Sequence, residues 1–170
     1  SQLSTGVQVR RARFGESSFR NSMPSEAPAP PGFASGYEVA SAFTRLALDS
    51  RTPTGDESLG SGVRLELDGA LAAELATAGA RFATWGGDLV GFLDLTGSGH
   101  LVVARVSAHL LEPLAGGPVP FFELLGVDRH AAMRGFLGGR LRGESAFVAE
   151  TQYRYPIWSF VDAELFVGAG

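Results

Sequence analysis

The chain has 170 residues, 45% hydrophobic and 19% charged, with 23 glycines, 9 prolines and no cysteine. The lack of cysteine excludes a disulfide scaffold, a thiolate metal site, an iron–sulfur cluster and a cysteine nucleophile. A net charge of −4 argues against a broad basic footprint for nucleic acid. All 14 basic residues are arginine, a compositional fact that carries no functional weight.

Glycine at this frequency suits many strands separated by turns better than a helical bundle. In chain order, residues 8–14 predict a weak first strand, and residues 21–34 a loop, since Pro24, Pro28, Pro30 and Pro31 cannot join a ladder. Residues 38–49 form a second strand. From Val63, the residues Val63, Leu65 and Leu67 alternate with Arg64, Glu66 and Asp68. Residues 70–80 are alanine-rich, and a short helix competes there on propensity. The reading adopted is a strand end, a turn near Gly79 and the start of a strand over 81–95. From Leu101, Val102, Ala104, Val106, Ala108 and Leu110 share one face, opposite Arg105, Ser107 and His109.

Residues 112–144 predict a long apolar loop. It holds Pro113, Pro118 and Pro120 beside Phe121, Phe122, Leu124, Leu125 and Phe136. A loop of about thirty residues is uncommon and tends to be a lid or plug packed against something. Beyond it, Phe147, Ala149, Thr151, Tyr153, Tyr155 and Ile157 oppose Val148, Glu150, Gln152 and Arg154. Lastly, Val161, Ala163, Leu165 and Val167 oppose Asp162 and Glu164. About seven strands result, each near the length that crosses a tilted bilayer path. No segment has the roughly 18 to 20 apolar residues of a membrane-spanning helix. The absence of an initial Met and the apolar final run, Phe166 to Gly170, read as a fragment or a processed product.

The segment Met133-Arg134-Gly135-Phe136, then Gln152-Tyr153-Arg154-Tyr155-Pro156, then Leu165-Phe166-Val167-Gly168, carries a resemblance. In this order it resembles the C-terminal barrel of BamA/TamA-type outer-membrane assembly factors, the bacterial surface antigen superfamily. Asp49-Ser50-Arg51, followed by Pro53 and Gly55, resembles that family's Asp-x-Arg strand end, and Val119-Pro120-Phe121-Phe122 its approach to the lid loop. The resemblance covers most of residues 37–170. It implies that Arg134 is the cation of an in-folded lid loop, that Gly135 permits close backbone approach, and that Phe136 packs the loop tip. Gln152 and Gly168 stand where the family has carboxylates, so the expected partners of Arg134 shift to Glu150, Asp162 or Glu164, with Gln152 as a neutral acceptor. A guanidinium in a confined lumen needs such acceptors.

The expected fold is therefore all-β: an antiparallel up-and-down meander, part of a transmembrane β-barrel with a long in-folded lid loop. Residues 1–170 form one partial barrel domain, with a loop at 21–34 and the lid loop at 112–144. By resemblance the function is assistance of protein insertion or translocation at the outer membrane of a diderm bacterium. Outer-membrane lipid, client proteins and accessory lipoproteins are the implied partners. No catalytic residue, metal or cofactor is expected. Two alternatives stay open: a barrel anchoring a surface-displayed or secreted enzyme, and a soluble β-sandwich binding module. On the last reading Tyr153, Tyr155, Trp158 and Phe160 are a buried face rather than an interfacial aromatic girdle. His100, His109 and His130 have no metal-ligand spacing, and the Gly86-Gly87 and Gly138-Gly139 pairs fit no phosphate loop.

Overall fold

The dyad alternation persists through seven long strands, and each pairs antiparallel with the next along the chain. The computed structural model describes residues 1–13, 30–32, 36–52, 60–75, 79–97, 99–126, 141–158 and 161–170. The long strands are β1 (Gln2–Ala12), β2 (Tyr37–Asp49), β3 (Gly62–Glu74), β4 (Arg81–Asp94), β5 (Leu101–Ala115), β8 (Ser145–Trp158) and β9 (Val161–Ala169). Two short strands, β6 (Leu125–Gly126) and β7 (Arg142–Gly143), make a separate two-residue ladder. The large sheet has the order β1-β2-β3-β4-β5-β8-β9. It is an open meander with β1 and β9 at its edges, not a closed barrel.

Two boundaries differ from the sequence reading, each for a physical reason. The first strand begins at Gln2 rather than residue 8. Its alternation is masked by Gly6, which lies beneath the Phe43 ring: a Cβ there would meet Phe43 Cζ at 2.8 Å. The loop expected from residue 112 starts later, because β5 continues to Ala115 through Pro113. Proline is tolerated there because the β4–β5 register shifts at Arg81/Phe82, where Phe82 opposes Pro113. The alanine-rich segment is strand as far as Glu74, and Gly79 takes a left-handed φ of +61° at the turn.

The described chain builds its apolar core on one face of the sheet, at the end carrying Ala12, Tyr37, Glu74, Arg81 and Ala115. Tyr37 and Val39 of β2, Phe82 of β4 and Leu111 of β5 pack there against Val119 and Leu125. Phe82 is among the largest fully buried side chains, and truncating it to Ala costs about 3–5 kcal/mol through the cavity left behind.

Candidate functional site: the polar face and its strap

Cross-strand register assigns every long-strand side chain to one of two faces. The outward set is Leu3, Thr5, Val7 and Val9 on β1; Ala40, Ala42, Thr44, Leu46 and Leu48 on β2; and Val63, Leu65, Leu67 and Leu71 on β3. It continues with Ala83, Trp85, Leu89 and Leu93 on β4 and with Val102 to Leu110 in alternation on β5. Phe147 to Tyr155 and Val161 to Val167, again in alternation, complete it on β8 and β9. No charged residue interrupts this band. Its charged residues, Arg11, Glu38, Arg81 and Glu112, sit together at the core end, where Arg11 pairs with Glu38.

The outward band is exposed. Val7 is 79% accessible, Leu71 63% and Leu165 65%, and nothing among the described residues covers them. Trp85 and Phe147 lie toward the core end, with Tyr153, Tyr155 and Trp158 toward the other. Tyr153 and Tyr155 stack at 5.6 Å, and the Tyr153 hydroxyl meets His100 Nδ1 at 2.9 Å. Such rings present an apolar body and a polar tip. Among the described residues, the oily rows do not face one another inside a two-layer core. Among the described residues no helix is long and apolar enough to cross a membrane.

The opposite face carries the charge. Arg105 of β5 donates from Nε and Nη2 to Asp88 Oδ1 at 3.2 and 2.8 Å. One residue pair further along, His109 spans an intervening strand. Its Nε2 lies 3.0 Å from Asp68 Oδ1 on β3, and the ring reaches there by crossing β4 at Gly86. A Cβ at position 86 would stand 2.4 Å from His109 Cδ2, so only glycine leaves room. With Asp68 ionised, Nε2–H donates to it, and Nδ1 faces the Ser107 hydroxyl at 3.4 Å. The Ser–His–Asp connectivity does not form a nucleophilic site. Ser107 is 1% exposed and His109 3%, so no substrate carbonyl can approach the hydroxyl. The trio instead staples three strands.

At the far end, the Asp-x-Arg segment is a local clamp. Arg51 donates from Nε and Nη2 to the Asp49 carboxylate, and its guanidinium lies 4.6 Å from the centroid of the Phe92 ring.

All four expected partners of the lid cation share the polar face. Glu150 and Gln152 lie on β8 and Asp162 and Glu164 on β9, with Glu150 opposite Arg105 and Gly168, and Glu164 opposite Arg154. Asp162 accepts from Arg154, a pair the sequence reading did not foresee. Arg134, Gly135 and Phe136 lie outside the described residues, as do Phe160 and most of the loop at 21–34.

Sequence reasoning singled out residues 112–144 as an apolar loop packed against something, but not the contacts by which its first part crosses this face at the core end. After β5 the chain turns across the sheet instead of away from it. The Phe121 N–H donates to Pro31 C=O, and a single 3₁₀ turn (Phe121–Glu123) brings Glu123 to β1, where Arg10 Nη1 reaches both carboxylate oxygens at 2.9 and 3.0 Å. Arg142 fixes the strap from behind: it donates to the carbonyls of Phe122 and Leu124, and its guanidinium lies over the Phe121 and Phe122 rings. Arg10 and Glu123 are 113 positions apart, so no local pattern could pair them. The only signal was the apolar, proline-marked character of the loop.

No family model matches the chain, and no curated protein or solved structure matches it either.

Proposed function

We propose that this sheet is part of the wall of a transmembrane β-barrel, with its aliphatic face against lipid and its charged face toward the lumen. More particularly, we propose a barrel of the BamA/TamA type, assisting the insertion or translocation of proteins at the outer membrane of a diderm bacterium. One observation carries the first step: an exposed aliphatic face with no charge within its band, backed by a face of ion pairs. Soluble monomers rarely expose contiguous apolar patches beyond a few hundred Å². The band fits hydrocarbon in height as well. From Ala83 to Leu93 are ten residue steps, which at about 3.3 Å each and a tilt of roughly 40° rise about 25 Å.

The second step rests on the ordered motifs. In this reading Arg134 inserts against the polar wall formed by Glu150, Gln152, Asp162 and Glu164, and Phe136 packs the loop tip. The work needs no covalent chemistry: a client strand pairs with an exposed sheet edge while the bilayer thins locally. Lipid, client proteins and accessory lipoproteins are the partners.

The test uses the full-length protein in its own cell. It is expected in the outer-membrane fraction, with a folded form that migrates faster on a gel until it is boiled, and its depletion is expected to lower the abundance of other outer-membrane barrels. Recovery as a compact monomer without detergent would refute the barrel. A heat-modifiable barrel whose depletion leaves all other barrels unchanged would refute the assembly role alone.

A further inference from the structure

The outward face is not evenly filled. Across β1 to β4 runs a shallow groove of about 730 Å³, with Ala42, Gly69 and Ala83 in its floor and Val7, Leu71 and Trp85 as its walls. Such a volume lies within the range of about 300–1,000 Å³ that small-molecule sites occupy. The groove spans three strand spacings, about 14 Å, and the tilt of barrel strands sets a path across them oblique to the membrane.

Gly69 has no partner that requires it to be glycine. Gly6 and Gly87 do: a Cβ at Gly6 would meet Phe43 Cζ at 2.8 Å, and one at Gly87 the Glu66 carbonyl oxygen at 2.5 Å. At Gly69 the nearest atom would be the Thr84 carbonyl oxygen at 3.7 Å, an ordinary contact. Its φ is not left-handed, and its ladders to β2 and β4 run through without a bulge. Glycine weakens a strand interior, and where neither bulge nor bend explains it, it marks a place that a ligand approaches closely.

Charge stands at the rim of the groove. Glu112 of β5 lies directly opposite Ala83, and Arg81 lies two residues before Ala83 on the same face of β4. Both are exposed, and neither side chain makes an ion pair among the described residues. Arg11, the other cation at this edge of the band, is taken by Glu38. One unpaired cation and one unpaired anion beside an apolar groove complement a phosphate and an ammonium carried above a hydrocarbon chain.

We propose that the groove seats one phospholipid with a phosphoethanolamine head. Its phosphate accepts from the Arg81 guanidinium, its primary ammonium donates to Glu112, and one acyl chain lies over Gly69 between Val7, Leu71 and Trp85. This inference rests on the barrel reading above and deepens it, naming one lipid and its seat on the wall. An anionic head without the amine would leave Glu112 facing negative charge, and a quaternary ammonium has no N–H to donate to it.

The experiment is native mass spectrometry of the full-length protein released from vesicles of equal parts phosphatidylethanolamine, phosphatidylcholine and phosphatidylglycerol. The native protein is expected to retain one phosphatidylethanolamine in preference to the others. Arg81→Gln is expected to lower that retention about two- to fivefold, the worth of one exposed ion pair. Glu112→Gln is expected to remove the preference for phosphatidylethanolamine over phosphatidylcholine. Gly69→Leu, which fills the groove, is expected to abolish retention. Gly91→Leu adds the same bulk to the same face outside the groove, where a Cβ would meet only Ala104 O at 3.9 Å, and is expected to leave retention intact. Among variants that migrate as heat-modifiable barrels, equal retention of all three heads, or equal behaviour of the two leucine variants, would overturn the lipid site and leave the barrel reading intact. A two-chain mass without lipid would also overturn it, giving the groove to a second copy. Failure of the native protein itself to become heat-modifiable in lipid would instead overturn the barrel reading, and the lipid site with it.

Discussion

Gly86 offers the sharpest test of the polar face, because two effects of opposite sign meet there. Replacing a glycine in a strand by alanine restricts the unfolded chain and ordinarily stabilises by about 0.4–1 kcal/mol where the backbone permits it. Gly86 has no positive φ, so the backbone permits it. The space does not: an added Cβ would stand 2.4 Å from the Ala108 carbonyl oxygen and 2.4 Å from His109 Cδ2. Relieving that overlap displaces the imidazole, parts it from Asp68 and leaves a buried polar pair unmade. Overpacking contributes about 1–3 kcal/mol and a lost hydrogen bond to a charged group about 1.5–3, so about 3 kcal/mol of net destabilisation is expected for Gly86→Ala. Gly91, on the same strand, is the control: its nearest neighbour would be Ala104 O at 3.9 Å, and Gly91→Ala is expected to be neutral or slightly stabilising. Urea unfolding of the full-length protein in lipid vesicles, followed by gel mobility, reads both. In a His109→Ala background the penalty at position 86 is expected to shrink without vanishing, because the clash with the Ala108 carbonyl remains. Equal behaviour of the two glycine variants would refute the reasoning.

Leu89→Arg, in the middle of the outward band, is expected to destabilise insertion into vesicles by about 2–4 kcal/mol; a neutral or solubilising effect would show that this face meets water. A double-mutant cycle between Arg134→Ala and Glu150→Gln is expected to show a coupling of about 1–3 kcal/mol in unfolding, and additivity would remove Glu150 as a partner of the lid cation.

Period-two alternation made most of the sheet legible, because a strand with one oily and one charged face leaves its signature on every second residue. It failed where a neighbour's bulk replaces a side chain. Gly6 under Phe43 concealed the start of β1, and Gly86 under His109 read only as part of a glycine pair. The side of His109 was readable from its strand, whereas its reach to Asp68 depended on the register of two ladders. The strap shows the same boundary between local and non-local information. Pro118, Pro120 and the aromatic pair marked a segment unfit for a ladder and too apolar for water. The surface it covers depends on Arg10, which is far away in sequence.

Strand direction adds a constraint that composition does not contain. In a seven-strand antiparallel meander the two edge strands run the same way, so a direct β9–β1 seam would be parallel. A second copy paired antiparallel edge to edge would be inverted relative to the first, which, on the barrel proposal, a membrane wall with distinct sides would forbid. An antiparallel closure therefore needs an odd number of further strands between β9 and β1. Engineered disulfides can test this on a background free of native cysteine. Val106→Cys with Ala149→Cys joins register partners on β5 and β8 and is expected to crosslink in the folded protein. Pairs placing one cysteine at Thr5, Val7 or Val9 and the other at Ala163, Leu165 or Val167 are expected to stay reduced, because even a single intervening strand separates them beyond disulfide reach of about 7 Å. A disulfide from any of those pairs within one molecule would mean that the edges meet in parallel, and the wall would then close on these seven strands alone.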